Sequence, residues 1–431
     1  MTNLNTLIGF GAGGGAGAGG DLPKAFTDTA TVVDSASQNM GGNTQSLSAN
    51  QYNFIWPLAT DGLFGGIADA WHNSTPVNSA LYAVSFLVNT SNGSIGAINH
   101  TKNPGSNLYT NSNTTGIFST CHTGSVGNVV MYQGHAYNPS TGTTRKGYAY
   151  GVKYNADASI AQAGHGYGDH SSGDNWPHSD GELAMGTDSN DANVYARRST
   201  YYQPTSRYFH SCSHWGTSGA SIGNQEHTAN SNYTSTNYLS ACAKQSKDDR
   251  TPGGFIYWYG NNGALNLTEV YGTTASRSSD LEIASNQFTP AFSLRMSTGK
   301  SVRVYNGAVI EGQGNGNAPV DITSTAHDSI HLLTKIVSQA WSQSMCKPTK
   351  NADEWILGVS NFGLIKFNID VNDNYKTTIT KQIYTDTWGH KSSSPSYQSH
   401  WGLVGPNDEY LCYSSWTGPT LNVKTYNNPL L

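Results

Sequence analysis

The turn sequence NPSTG at residues 138–142 separates VVMYQGHA (Val129–Ala136) from GYAYGVKY (Gly147–Tyr154). Both flanking runs are rich in β-branched and aromatic side chains, which favour the pleated and half-buried surface of a strand. The Pro and Gly between them supply the backbone conformations that a tight connection needs. This stretch therefore predicts an antiparallel hairpin.

The same arrangement recurs along the chain, and each copy has a turn signal such as Asn-Gly or Thr-Gly between two short apolar runs. The further predicted hairpins are Leu81–Val88 with Ser94–His100, Phe255–Tyr259 with Ala264–Tyr271, Ala291–Met296 with Ser301–Tyr305, Trp355–Ser360 with Leu364–Val371, and Tyr410–Ser415 with Thr420–Tyr426. We therefore predict an all-β fold. Asp328–Met345 is an exception, because its apolar residues have helical spacing; a helix and a pair of strands both remain open there.

The composition supports this fold class and excludes some functions. Charged residues make up 12% of the 431 residues, apolar residues 36% and aromatic residues 11%. The net charge of −5 leaves no basic excess for binding nucleic acid through phosphate neutralisation. No apolar run reaches about 18 residues, so no membrane-spanning helix is predicted. The five cysteines are scattered without a C-x-x-C pair, which is typical of free thiols in a reducing cytosol.

The N-terminal region is expected to differ from the rest. Residues 8–20 are mostly glycine, which cannot sustain a helix because glycine loses the most backbone entropy on ordering. The first ten residues contain no Lys or Arg, so a secretory signal is not expected. We predict an anchoring arm at residues 1–50 and a body at residues 51–431. The expected anchoring residues are Ile8, Phe10, Gly13, Gly14 and Gly15.

A weak motif of a histidine followed two residues later by glycine suggests repeated β units. Its copies contain His122 with Gly124, His214 with Gly216, and His400 with Gly402, and His178 heads a looser copy. Units of about 40–60 residues that cannot bury their own faces are typical of propeller blades. We predict a β-propeller of six or seven blades, with a large β-sandwich or jelly roll as the alternative. The motif is interpreted as structural, although the histidines could also line a ligand site.

One segment has the residue types of a metal site. The weak candidate ligands are His165, Asp169, His170, Asp174 and His178. Imidazole and carboxylate groups at short spacing can bind a divalent cation, but a Gly- and Ser-rich exposed loop has the same composition. No EF-hand or H-E-x-x-H order is present. We therefore predict no cofactor, and the metal remains unknown.

Signs of catalysis are weak. No G-x-S-x-G nucleophile elbow is present. Cys121 and His122 are adjacent, so on a strand they point to opposite faces and do not form a dyad. We predict no enzymatic activity. The aromatic residues could be binding surface or blade core; the candidates are Tyr201, Tyr202, Tyr257–Tyr259, Trp388, Trp401 and Trp416.

The sequence resembles virion structural proteins of tailed bacteriophages, particularly those of marine phages. The resemblance is carried by Thr6–Phe10 running into Gly11–Gly20 and by the long body rich in Ser, Thr, Asn, Gly and Tyr. It implies synthesis in the host cytoplasm, location in the virion, and anchoring to other virion proteins through the arm. It also implies a homo-oligomer on the particle and contact with a host-surface glycan or protein, as a tail, fibre or decoration component. No catalytic residue, nucleic-acid contact or membrane insertion is implied. A propeller-fold lectin or glycoside-active enzyme is the alternative.

Overall fold

The computed structural model describes only part of the chain. The described residues are 24–25, 30–40, 55–70, 80–102, 121–137, 145–168, 181–182, 184–187, 193–202, 207–216, 222–227, 240–243, 255–261, 264–271, 274–281, 290–295, 297, 300–305, 308–313, 320–323, 346–359, 363–370, 372–373, 376–384, 400–417 and 420–431. Asp328–Met345, the segment with helical spacing, lies outside them. Every element among the described residues is a β-strand.

The N-terminal residues and the first half of the body form strands β1 to β15. The N-terminal strands are β1 (Lys24–Ala25) and β2 (Val32–Asn39). Blade 1 contains β3 (Ile55–Pro57), β4 (Leu63–Ala70), β5 (Ala80–Leu87) and β6 (Asn99–Lys102). Blade 2 contains β7 (Cys121–Val126), β8 (Val129–Tyr137), β9 (Arg145–Tyr154) and β10 (Ile160–Gly168), and the short β11 (Gly181–Glu182) lies beside β7. Blade 3 contains β12 (Ala184–Thr187), β13 (Asn193–Tyr202), β14 (Arg207–Gly216) and β15 (Ile222–His227).

The second half of the body continues the same pattern. Blade 4 contains β16 (Ser240–Ala243), β17 (Phe255–Asn261), β18 (Ala264–Tyr271) and β19 (Thr274–Leu281). Blade 5 contains β20 (Pro290–Arg295), β21 (Lys300–Tyr305), β22 (Ala308–Gln313) and β23 (Val320–Thr323). Blade 6 contains β24 (Cys346–Pro348), β25 (Glu354–Val359), β26 (Gly363–Asp370) and β27 (Lys376–Tyr384). Blade 7 contains β28 (His400–Val404), β29 (Tyr410–Thr417) and β30 (Thr420–Asn427).

The strand order defines a β-propeller. Within each blade, consecutive strands pair antiparallel. The described strands form six sheets, and one of these sheets has eight strands and contains both blade 4 and blade 5. Counting that sheet as two units makes seven blades. First strands of neighbouring blades lie side by side: β16 pairs parallel with β20, and β28 contacts β3. First strands that adjoin one another around a ring are the innermost strands, as in a propeller. The fold prediction is therefore confirmed.

The predicted hairpins are also confirmed. The hairpin quoted first is β8–β9, whose register pairs Val129 with Lys153 and Tyr137 with Arg145. The other five are β5–β6, β17–β18, β20–β21, β25–β26 and β29–β30. In β5–β6 the second strand is Asn99–Lys102 rather than the predicted Ser94–His100. Alternating side chains and short turns were sufficient to locate these pairs, because each depends only on neighbouring sequence.

The ring closes with a strand from the N-terminus. β2 pairs antiparallel with β30, so blade 7 consists of three C-terminal strands and one N-terminal strand. β1 pairs parallel with β27 at the outer edge of blade 6. The prediction that residues 1–50 form an arm outside the body is therefore wrong for residues 24–25 and 30–40. The sequence of β2 is polar and weakly patterned because an outermost strand with an exposed face needs few apolar residues.

Two apolar clusters of the described core lie at blade 7. One joins it to blade 1 and includes Phe64, Phe86 and Val423, with the Phe64 and Phe86 rings stacked at 5.1 Å. The other joins it to blade 6 and includes Ile356, Trp401 and Leu430. Propeller sheets bury their faces against the neighbouring blades, so these clusters are the core of the fold.

Candidate binding pocket at the propeller axis

In blades 1, 2, 6 and 7, the turn that follows the first strand is hydrogen-bonded to the preceding blade. Asn128 of blade 2 reaches Thr60 of blade 1: its Oδ1 accepts from the Thr60 backbone N–H at 3.0 Å, and its Nδ2 donates to the Thr60 hydroxyl at 2.8 Å. Asp61 of blade 1 in turn accepts from the Gly405 N–H of blade 7 at 3.2 Å. A buried or half-buried backbone N–H needs an acceptor, and these side chains supply one.

The same link continues around the ring. The Asp408 carboxylate of blade 7 accepts from the Lys350 N–H of blade 6 at 2.7 Å. The Asp353 carboxylate of blade 6 accepts from the Ser297 N–H of blade 5 at 2.7 Å and from the Ser297 hydroxyl at 2.5 Å. We call these four contacts the inter-blade latches: Asn128–Thr60, Asp61–Gly405, Asp408–Lys350 and Asp353–Ser297. They connect blades 5, 6, 7, 1 and 2. In three of the four latches, the accepting group is the carboxylate of an aspartate in the turn.

A pocket opens between the innermost strands at this end of the axis. The enclosed part of this cavity has a volume of about 50 Å³. Its walls come from β3, β7, β24 and β28, from the turn at residues 58–62 and from the start of β4, so blades 1, 2, 6 and 7 all contribute. The apolar walls include Trp56, Leu58 and Leu403, with Pro57 and Pro348 half-buried at the rim. A concave and mostly apolar surface with a few polar groups is the general form of a ligand site, so this cavity is the candidate binding pocket.

Lys347 is the buried cation of this pocket. Its side chain is only 5% exposed, and its Nζ lies 5.1 Å from the centroid of the Trp56 ring and 5.8 Å from that of Trp401. These rings belong to blades 1 and 7, so Lys347 of blade 6 joins three blades at the axis. The negative faces of the two indoles stabilise its charge.

Two glycines allow close packing around the innermost strand of blade 7. A Cβ on Gly402 would lie 2.8 Å from the Cβ of Pro57 and 2.9 Å from the Phe64 ring. A Cβ on Gly358 would lie 3.0 Å from Trp401 Nε1, which is buried and has no hydrogen-bond partner. Gly402 on the innermost strand therefore excludes a side chain, whereas at Gly358, on the second strand of blade 6, the Trp401 ring would have to shift by a few tenths of an ångström.

The histidine motif does not occupy one position in the fold. His122 with Gly124 lies on β7, and His400 with Gly402 lies on β28, so these two copies share the innermost strand. His214 and Gly216 instead lie on β14, the third strand of its blade. His178 lies outside the described residues. The His214 copy is thus not equivalent, because a three-residue match carries no information on strand order.

The other predicted site residues have mixed outcomes. His165 lies on β10, while Asp169, His170, Asp174 and His178 lie outside the described residues, as do Ile8, Phe10, Gly13, Gly14 and Gly15. Within the described ranges, no group of three His, Cys, Asp or Glu residues is arranged to hold a metal ion. Trp401 is fully buried and Trp416 packs against the blade 7 core, so both are packing residues. The part of the chain described here contains no helix of a length and apolarity that would span a membrane.

Sequence reasoning missed the latches and Lys347. The latch residues have a local signal: Asp61, Asn128, Asp353 and Asp408 each stand one or two residues before the second strand of a blade. Aligning the hairpins on their second strands would have found them. Lys347 has no such signal, because the two indoles that surround it come from distant parts of the chain.

No protein-family model matches this sequence, and no curated protein matches it. Among solved structures, the chain is similar to the Pan2 WD40 domain of Neurospora crassa, with 10% identity, 94% of this chain and 98% of that chain covered, and a TM-score of 0.45. It is similar to the NanB sialidase of Streptococcus pneumoniae, with 11% identity, 94% and 71% covered, and a TM-score of 0.42. It is also similar to the β-propeller domain of the Trilobed protease of Pyrococcus furiosus, with 8% identity, 86% and 93% covered, and a TM-score of 0.38.

Proposed function

We propose that this protein is a non-catalytic structural and recognition protein of a bacteriophage particle. In this proposal the propeller is a rigid body, and the axial pocket is its recognition site. Assembly onto the particle depends on other virion proteins, and several copies of the chain act together. The resemblance of the N-terminal glycine tract and of the composition to phage virion proteins supports the particle assignment.

The hydrogen bonds made by the carboxylates near the axis support a role in recognition rather than in catalysis. Catalysis by general acids and bases needs titratable side chains aimed at a substrate. The carboxylates of Asp61, Asp353 and Asp408 instead accept backbone hydrogen bonds in the inter-blade latches. The pocket walls, of which Asp61 is part, are mainly apolar. Such a surface binds a ligand through shape and burial.

The experiment that tests this proposal is protein identification by mass spectrometry on purified phage particles, followed by immunogold labelling. We expect the protein in intact particles and labelling at one structural location. Its absence from particles would contradict the virion role.

An activity screen tests the non-catalytic part separately. The full chain should leave a panel of polysaccharides unhydrolysed. Hydrolysis that is lost in a single Glu→Gln variant would overturn the proposal and establish a glycoside-active enzyme.

A further inference from the structure

We infer that the axial pocket holds one leucine-sized aliphatic side chain of a partner protein, presented by a segment that carries lysine or arginine on both sides. This inference rests on the proposed recognition role of the pocket and names the class of partner. It follows from three properties of the pocket: the size of its enclosed part, its apolar walls, and the negative charge of the turns around its mouth.

The enclosed part of the pocket is too small for a whole ligand. It measures about 50 Å³. Since a water-sized group needs roughly 10–15 Å³, this space takes about four non-hydrogen atoms, which is the size of the isobutyl group of leucine, whereas a benzene ring fits a cavity of about 150 Å³. A ligand that enters here therefore leaves most of its atoms outside, as a polypeptide does when one anchoring side chain fills a pocket.

The walls determine which side chain enters. Trp56, Leu58, Phe64 and Leu403 line the pocket and are each at most 6% exposed, so they present a fixed apolar surface. An aliphatic group gains free energy by leaving water for such a surface. A polar side chain would exchange its bonds to water for contacts that are mainly with carbon, which is unfavourable.

The turns around the mouth carry more negative than positive charge. The turns after β3, β24 and β28 begin beside residues that line the pocket, so we call these three turns its rim. The charged residues of the rim and the pocket are Asp61, Asp353, Asp408, Glu409, Lys350 and the buried Lys347. The formal charge of these six groups is −2. Such a rim attracts a positively charged segment and repels a negatively charged one.

The latches keep this charge in place. Asp61, Asp353 and Asp408 accept hydrogen bonds from backbone N–H groups of neighbouring blades. These donors are neutral, so the bonds fix the position of each carboxylate without cancelling its charge. The rim is therefore a fixed acidic surface around an apolar socket, and a basic segment with one aliphatic anchor complements both.

Pentapeptides with blocked ends test the class of partner. Acetyl-KKLKK-amide should bind best, acetyl-KKAKK-amide at least 10-fold more weakly because the socket stays unfilled, and acetyl-KKFKK-amide at least 3-fold more weakly because the ring exceeds the enclosed space. Acetyl-EELEE-amide should not bind measurably, because the rim repels it. The measurement is isothermal titration calorimetry on the full chain at low salt and low millimolar peptide. Equal affinity for the KKLKK and KKAKK peptides, or no heat with KKLKK, would overturn the inference.

A free aliphatic molecule is the alternative occupant. Isoamyl alcohol carries the same isobutyl group as leucine but has no charge, so it should bind at least 10-fold more weakly than the KKLKK peptide. Raising the salt concentration should weaken the peptide and leave the alcohol unchanged, because salt screens the rim. An alcohol that binds as tightly as the peptide would contradict a protein partner.

Two tryptophan substitutions locate the site. Ala59 lines the rim and is half-buried, so Ala59→Trp should block the mouth and abolish KKLKK binding. Ala156→Trp is the matched control, because Ala156 is exposed on a turn of blade 2 and does not line the pocket. It should leave the affinity unchanged. The melting temperature of each variant shows that the fold is retained, and a folded Ala59→Trp protein that still binds the peptide would place the site elsewhere.

A gain of affinity keeps the test decisive if Ala59→Trp does not fold. Lys350→Glu replaces the exposed lysine of the rim by a carboxylate, so it should strengthen KKLKK binding at least 3-fold, with Lys350→Met between it and the unsubstituted protein. A loss of folded protein does not produce such a gain. Unchanged or weaker binding in Lys350→Glu would contradict the role of the rim. Particle composition remains an independent test of the virion role, so the two proposals fail separately.

Discussion

The seam between blades 7 and 1 and the seam between blades 1 and 2 use the same kinds of contact over very different chain separations. At the 1–2 seam the Tyr154 hydroxyl donates to the Gly66 carbonyl at 2.7 Å, and the two residues are 88 positions apart. At the 7–1 seam the Thr425 hydroxyl donates to the Gly93 carbonyl at 2.6 Å across 332 positions. Both hydroxyls are buried. Close to each accepting carbonyl, the backbone packs against an aromatic side chain of the neighbouring blade.

The difference is that the 7–1 seam needs both ends of the chain. The loop that follows β5 crosses onto blade 7, where the Ile95 N–H donates to the Asp34 carboxylate of β2 at 2.7 Å. Met40, just after β2, is 3% exposed in the same core cluster. The 1–2 seam joins consecutive blades and closes a short loop of chain. Closing the ring therefore carries the larger loop-closure entropy, and the N-terminal strand is part of what offsets it.

Deletion of residues 1–40 should have the largest effect on this pair of seams. It removes the seven residue pairs of the β2–β30 ladder and the buried Met40 side chain. We expect a loss of several kcal/mol in the free energy of unfolding, since each backbone hydrogen bond contributes about 1 kcal/mol and a buried Met about 2, partly offset by the entropy of ordering the strand. Urea unfolding measures it. Deletion of residues 1–20 leaves every described contact intact and serves as the control; a similar loss there would contradict the role of β2.

Adding a methyl group at each seam should have the next largest effect. Gly402→Ala places a Cβ 2.8 Å from Pro57 Cβ at the 7–1 seam, and Gly65→Ala places one 2.7 Å from the Tyr154 ring at the 1–2 seam. Overpacking of this kind costs about 1–3 kcal/mol. Both variants should lower the urea midpoint by similar amounts if the two seams are equally rigid. A much smaller decrease of the urea midpoint for Gly402→Ala would show that the packing at the seam between blades 7 and 1 is less rigid.

Removing one buried hydrogen bond at each seam should have a smaller effect. Tyr154→Phe leaves the Gly66 carbonyl without this donor, and Thr425→Val does the same to the Gly93 carbonyl. Each should cost about 1–2 kcal/mol, because a buried acceptor loses its partner. Thermal unfolding of the two variants checks this. No change in either would show that water replaces the lost donors.

The smallest expected effect is a pH dependence from Cys412, which lies in the 7–1 core cluster. Burial raises the pKa of this thiol above its ordinary value, so the folded protein keeps a proton that the unfolded chain releases. Stability from this group is complete below about pH 8.5 and falls as the pH rises. At pH 9.5 the loss is about 1.4 kcal/mol for an unfolded pKa near 8.5. Cys412→Ala should reduce the alkaline loss by this amount, and an unchanged pH profile would contradict it.

Much of the fold could be predicted from the sequence, but little of the site. The hairpins follow from local alternation and turn residues, as in Val129–Tyr154. The pocket depends on Trp56, Lys347 and Trp401 meeting at the axis, which no local pattern encodes. The latches could be predicted in part. Asp61 and Asp408 have a regular place before a strand, but their hydrogen-bond partners lie in another blade and have no local signal.

The sequence by itself determined the all-β class, six antiparallel hairpins and the approximate number of blades. These features depend on side-chain alternation and on turn chemistry over a few residues. Only the tertiary structure decided that β2 completes blade 7, that the latches join successive blades and that Lys347 lies between two indoles. Each of these contacts joins segments far apart in the chain, so it exists only after the blades have packed into a ring.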